Sequence, residues 1–142
     1  MRCLNFRYLA LTGLKLKCSE LTLRFVLNEI MEVQPREIQT YETLEGKIPF
    51  EEWLDSLRDR QGKAKIKGRL QRVALGNLGD CKSVGEGVSE LKIDYGPGYR
   101  VYFGERDSTI VLLLCGGDKG TQDRDIRKAK EYWIEFRSRN DA

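Results

Sequence analysis

Apolar and polar residues alternate most regularly between Val88 and Gln122. In the run VSELKID, Ser89, Leu91 and Ile93 fall on one side and Val88, Glu90, Lys92 and Asp94 on the other, because side chains of an extended strand change face at every residue. Tyr99, Val101 and Phe103 repeat the alternation against Arg100 and Tyr102, and Tyr95-Gly96-Pro97-Gly98 between the two runs is built of turn residues. The pair predicts a β-hairpin. Ile110 to Cys115 is apolar on both faces, which predicts a strand covered on both sides, and Gly116-Gly117-Asp118-Lys119-Gly120 ends it. Glu90, Lys92, Arg100 and Tyr102 are therefore predicted to share one open polar face, with Lys119 at its rim.

Helical spacing appears on either side of these strands. After a short strand at Glu37 to Tyr41 and a turn at Glu45-Gly46-Lys47, Phe50, Trp53, Leu54 and Leu57 fall at i, i+3, i+4 and i+7 behind Pro49, a residue suited to a first helical turn. Trp53 is read as core. Ile66, Leu70, Val73 and Ala74 mark a second helix from about Lys63 to Leu75, stopped by Gly76-Asn77-Leu78-Gly79-Asp80. Ile126, Ala129, Trp133 and Phe136 mark a last helix from about Asp123 to Arg137, with Asp123 and Asp125 at its start and Arg137 and Arg139 at its end, both favourable to the helix dipole. The order strand, helix, helix, three or four strands, helix predicts an α+β fold with an essentially antiparallel sheet packed against helices.

Composition narrows the chemistry. With 142 residues, 40% hydrophobic and 33% charged, the chain fits one globular core, and no apolar run approaches the roughly 18 residues of a membrane span. The four cysteines, Cys3, Cys18, Cys81 and Cys115, form no CxxC pair, and there is no histidine. These features predict no zinc site, no metal and no cofactor, with each cysteine a small apolar side chain in a reducing cytoplasm. The missing histidine also removes the commonest proton shuttle.

Charge is distributed unevenly. Residues 1–30 carry the whole net charge of +3, through Arg2, Arg7, Lys15, Lys17 and Arg24 against Glu20 and Glu29. They read as an N-terminal extension, either an upstream start with Met31 as the natural first residue of a 31–142 domain, or an added strand or arm. Within the body, the acidic Glu42, Glu45, Glu51, Glu52 and Asp55 precede Arg58, Arg60, Lys63, Lys65, Lys67, Arg69 and Arg72, interrupted only by Asp59. Such segregation suits one face to a polyanion or leaves it a solvated helix face.

The ordered series ELK, GYRVYF, GGDK, Q and DI, preceded by the GNLGD turn, resembles the RelE/ParE superfamily of bacterial toxins, and within it the HigB-like, phage-associated addiction module killer branch. The resemblance spans Val33 to Arg137. It implies a β-α-α-β-β-β-α order and a cytoplasmic toxin of a type II toxin-antitoxin system, which cuts mRNA on the ribosome and is neutralised by a helix-turn-helix antitoxin. Family members that cleave mRNA place an arginine on the middle strand, matched by Arg100, and a basic residue after the next strand, matched by Lys119. Where some carry a catalytic tyrosine six residues further on, this chain has Asp125.

Metal-independent cleavage proceeds by attack of the ribose 2′-OH on the adjacent phosphate. On that reading Arg100 clamps the phosphate, Lys92 shares it or moves a proton, and Lys119 stabilises the leaving oxygen. Glu90 is the candidate base, with an ion pair to Arg100 or Lys92 as its other reading. Tyr102, or Tyr99 if it is not core, stacks on a base, while Lys65, Lys67, Arg69 and Arg72 grip RNA. Gln122 and Asp125 either cap the last helix or join the site. The alternatives are a ParE-like inhibitor of DNA gyrase, which needs no catalytic residues, and a non-catalytic antitoxin-binding module.

Overall fold

The computed structural model describes residues 34–141, so the expectations for the extension 1–30, Met31, Cys3 and Cys18 lie outside the described residues. The described chain is α+β. It runs β1 (Glu37–Thr40), α1 (Pro49–Ser56), α2 (Arg60–Ala74), β2 (Cys81–Gly85), β3 (Val88–Ile93), β4 (Tyr99–Arg106), β5 (Ile110–Asp118), a 3₁₀ turn (Lys119–Thr121) and α3 (Gln122–Asn140). The strands form one sheet in the order β1-β5-β4-β3-β2. β1 pairs with β5 in parallel, and every other pairing is antiparallel.

One strand, β2, is additional to the β-α-α-β-β-β-α order. Its sequence CKSVG is too short to show alternation. It forms because Glu86 and Gly87 both take positive φ, 57° and 84°, the geometry of a two-residue hairpin turn whose twist matches its flanking strands.

The sheet separates two apolar layers. On one side Leu91, Ile93, Tyr99, Val101, Phe103, Val111 and Leu113 pack with Phe50 of α1 and with Ile66 and Val73 of α2. On the other, Val88, Tyr102, Leu112, Leu114 and Cys115 pack with Tyr41 and with Ala129 and Trp133 of α3. β5 is thus covered on both faces, as its unbroken apolar run predicts. Each layer brings a tryptophan onto a bare strand backbone: Trp53 lies over Gly116 and Trp133 over Gly104, and a Cβ at either glycine would overlap the ring. Trp53 also meets Tyr99 edge to face, with ring centroids 6.2 Å apart.

Helix α2 begins three residues before the predicted Lys63, because Asp59 caps it by accepting from the Gly62 N–H at 2.9 Å. The second carboxylate oxygen of Asp59 accepts from the Tyr99 hydroxyl at 2.9 Å, which ties the helix start to β4. Cys81 and Cys115 are free thiols. Burial and then the Asp125 charge push Cys115 up to about 12, so it serves as a small apolar side chain.

Two outcomes follow from this packing. Gly104→Ala and Gly116→Ala are each expected to cost about 1–3 kcal/mol in urea unfolding, as overpacked core positions do. The Asp59 carboxyl is held below its ordinary value, first by the Gly62 N–H and then by the Tyr99 hydroxyl. Its stabilisation is therefore complete above the unfolded value of about 3.9 and is lost as pH falls through the lower folded value. Asp59→Asn is expected to lower the melting temperature at neutral pH and to flatten its decline below about pH 4, as followed by circular dichroism.

Candidate functional site

The strand register brings most of the predicted polar residues to one face. Lys92 stands opposite Arg100 and Glu90 opposite Tyr102 between β3 and β4, while Lys82 of β2 stands opposite Glu90. That face is not open. α3 lies over β5, β4 and β3, and leaves Glu90 1%, Arg100 7% and Tyr102 0% exposed. Alternation reports which side a residue faces; a polar side chain can still be buried if the fold supplies its partners.

Glu90 is the centre of those partners. Its Oε1 lies 3.3 Å from Arg100 Nε and 3.7 Å from Lys82 Nζ, and its Oε2 accepts from Gln122 Nε2 at 2.8 Å. Arg100 also donates through Nη1 to the Gly98 carbonyl at 3.0 Å. Glu90 is therefore the ion-pair partner of Arg100, with both oxygens engaged. The candidate base and candidate clamp hold each other. Tyr102 belongs to the apolar layer under α3 and offers no surface for a base to stack on. Burial, then the neighbouring Glu90 charge, raises its phenol far above the ordinary tyrosine value. Tyr99 is core on the opposite face.

The remaining candidates occupy the rim. Lys92 is half-buried and Lys119 is exposed, with the Lys119 Cβ beside Gly98 in the β3–β4 turn. Gln122 anchors α3 to Glu90, and buried Asp125 accepts from the Thr121 hydroxyl at the helix start. Gly117 leaves space for the Asp125 carboxylate, where a Cβ would collide. Both residues thus have structural work at the head of α3. Lys82 was not legible from the sequence because β2 itself was not. Among the described residues, no three Asp, Glu or Cys side chains converge to hold a metal ion, and no described helix is long and apolar enough to cross a membrane.

The second cluster is α2, which carries Arg60, Lys63, Lys65, Lys67, Arg69 and Arg72 without one acid. Arg60, Lys65, Lys67 and Arg72 are exposed, and none of these four has an ion-pair partner among the described residues. Lys63 Nζ instead donates to the Asp55 carbonyl at 3.2 Å. Arg69, expected beside Lys65, Lys67 and Arg72 as an RNA contact, is buried. Its Nη2 donates to the Leu78 carbonyl at 2.6 Å, and its guanidinium lies against Gly79, where a Cβ would collide with it. Arg69 therefore braces the loop after α2. The signal was present: Arg69 falls at i+3 from Ile66 and i−4 from Val73, within the buried stripe.

No protein-family model matches the chain. An uncharacterized protein of Haemophilus influenzae (strain ATCC 51907 / DSM 11121 / KW20 / Rd) is 52% identical to it over 83 residues, spanning 58% of this chain and 84% of the relative. The two belong to one family. The Haemophilus relative carries no described activity, so the chemistry of the site rests on this chain's own residues.

The buried pair generates a sharp expectation. Glu90→Ala and Arg100→Ala each strand a buried charge and are expected to cost about 3–5 kcal/mol in urea unfolding. The double variant Glu90→Gln/Arg100→Met is expected to lose much less than the sum of its single changes, because neither charge is left alone.

Proposed function

We propose that this protein is a cytoplasmic toxin of the RelE/ParE type, HigB-like in character. It acts on RNA as an endoribonuclease that cuts mRNA on the ribosome, and a helix-turn-helix antitoxin restrains it. One observation carries the reading: α2 presents Arg60 and Lys67 on one exposed ridge and Lys65 and Arg72 on another, with no acid on the helix. Such a surface attracts a phosphate backbone. Support also comes from Lys92, Arg100 and Lys119, which stand near the β3–β4 turn, and from the β-α-α order followed by an antiparallel meander and a closing helix, with β2 as an addition. In this reading Glu90 positions Arg100 and is not the base. Arg100, held beneath the turn by Glu90 and Gly98, adds its positive field, while Lys92 and Lys119 meet the RNA phosphate from the rim. The 2′-OH proton passes to water as the 2′ oxygen bonds to phosphorus, and Lys119 donates a proton to the departing 5′ oxygen.

A non-catalytic second reading, either gyrase inhibition or antitoxin binding alone, is favoured by the burial of Glu90 and Tyr102. The two separate on induction of the full chain in a bacterial host with primer extension on abundant transcripts. New 5′ ends within translated regions, lost with Lys119→Ala, are the expected result. Growth arrest with intact transcripts would move the assignment to gyrase, and the absence of arrest to the binding module.

The α2 face has its own measurement. Binding of the protein to single-stranded RNA is expected to weaken steeply with salt. The triple variant Lys65→Gln/Lys67→Gln/Arg72→Gln is expected to reduce the slope of log K against log salt by about 2, at roughly 0.7 per phosphate contact. An unchanged slope would take α2 out of the interface.

A further inference from the structure

An unpaired nucleic-acid strand offers a protein two recurring features, the π-face of each base and the phosphate between neighbours. Tyr95 and Lys65 present complements to both. Tyr95 opens the turn between β3 and β4, half-buried, with part of its ring packed against the core layer beneath α1 and α2. Lys65 Nζ stands 5.8 Å from the ring centroid, within cation–π range. The Tyr95 hydroxyl donates to Gln61 Oε1 at 2.7 Å. Gln61 and Lys65 are one helical turn apart on α2, so a single helix face fixes both the tilt of the ring and the charge beside it.

The turn then leads toward the other cations. The Tyr95 carbonyl accepts from the Gly98 N–H at 3.1 Å. Gly98, at a φ of 78°, brings the backbone against Arg100 Nη1 and the Lys119 Cβ. Residues 95–98 therefore bridge Lys65 on α2 to Arg100 at the start of β4 and Lys119 just past β5.

We infer that Tyr95 is the base-stacking residue of this protein and that its ligand is unpaired RNA, laid from the Lys65–Arg72 ridge of α2 across the Tyr95–Gly98 turn to Lys119. The inference rests on the RNA-directed reading above and names the form of RNA and the residue that selects it. Stacking passes from Tyr102, which is sealed under α3, to a tyrosine at the surface. A duplex keeps its base faces inside the stack, so only an unpaired strand has a face to give to the ring. On binding, Lys65 yields its place over the ring to the base and takes the adjoining phosphate.

Fluorescence anisotropy with the full chain tests this, using a labelled unpaired oligoribonucleotide and a labelled RNA duplex of equal length. The wild type is expected to prefer the unpaired strand by about tenfold or more. Tyr95→Leu is expected to bind it about 10- to 100-fold more weakly while keeping its duplex affinity and its salt slope. Tyr95→Phe and Tyr95→Trp, which retain a ring, are expected to stay near wild type, an outcome that a purely structural role for the hydroxyl would not give. Wild-type binding by Tyr95→Leu would overturn the assignment and leave the RNA reading standing. Equal affinity of the wild type for duplex and unpaired strand would overturn the choice of ligand. Failure of the wild type to bind either RNA would remove the RNA reading and this inference together.

Discussion

The molecule depends on a carboxylate that has nowhere to go but inward. Glu90 sits in the middle of a sheet face with a helix above it, and a buried charge is tolerable only with close partners. It draws them from three elements: Arg100 on β4, Lys82 on β2 and Gln122 at the first residue of α3. One group thus couples the edge hairpin, the centre of the sheet and the head of the covering helix. A second nitrogen of the arginine, Nη1, donates to the Gly98 carbonyl, and so fixes the turn on which Tyr95 stands.

The two faces of the sheet are handled differently. Under α1 and α2 the contact is nearly all apolar, with Trp53 lying on Gly116. Under α3 the apolar cluster around Trp133 gives way, toward the helix start, to Glu90, Arg100, Thr121 and Asp125. α3 is thus held by packing in its middle and by polar geometry at its head. Charge is sorted by element as well: α1 shows Glu51, Glu52 and Asp55 to solvent, whereas α2 shows only cations and neutral side chains. A polyanion meeting this surface is turned away from one helix and toward the next.

Much of this architecture was legible in the chain, for identifiable reasons. β3 to β5 declare themselves through period-two alternation and an unbroken apolar run, and the three helices through 3.6-residue stripes, because those elements bury continuous faces. β2 is silent since it is a short edge whose existence depends on positive φ at Glu86, a residue that does not advertise a turn. α2 starts ahead of its apolar stripe because Asp59, a cap outside the stripe, sets its first turn. The site was half legible: the register places Glu90, Lys92, Arg100 and Tyr102 on one side, but nothing local to those strands says that a helix more than twenty residues downstream will cover them. Arg69 shows the converse, a cation read as surface by type although its position in the stripe marked it as interior.

The parallel pairing of β1 with β5 has a kinetic meaning. In the sheet Glu37 to Thr40 pair only with Ile110 to Leu113, far downstream in the chain, whereas β2 to β5 join neighbour to neighbour through short turns. As the chain is synthesised, the first strand emerges long before its partner exists, and loop closure over that span opposes early pairing. The meander is the local unit that forms first. β1 then adds to a finished edge, so a nascent chain stopped short of β5 holds an unpaired strand and an uncovered layer.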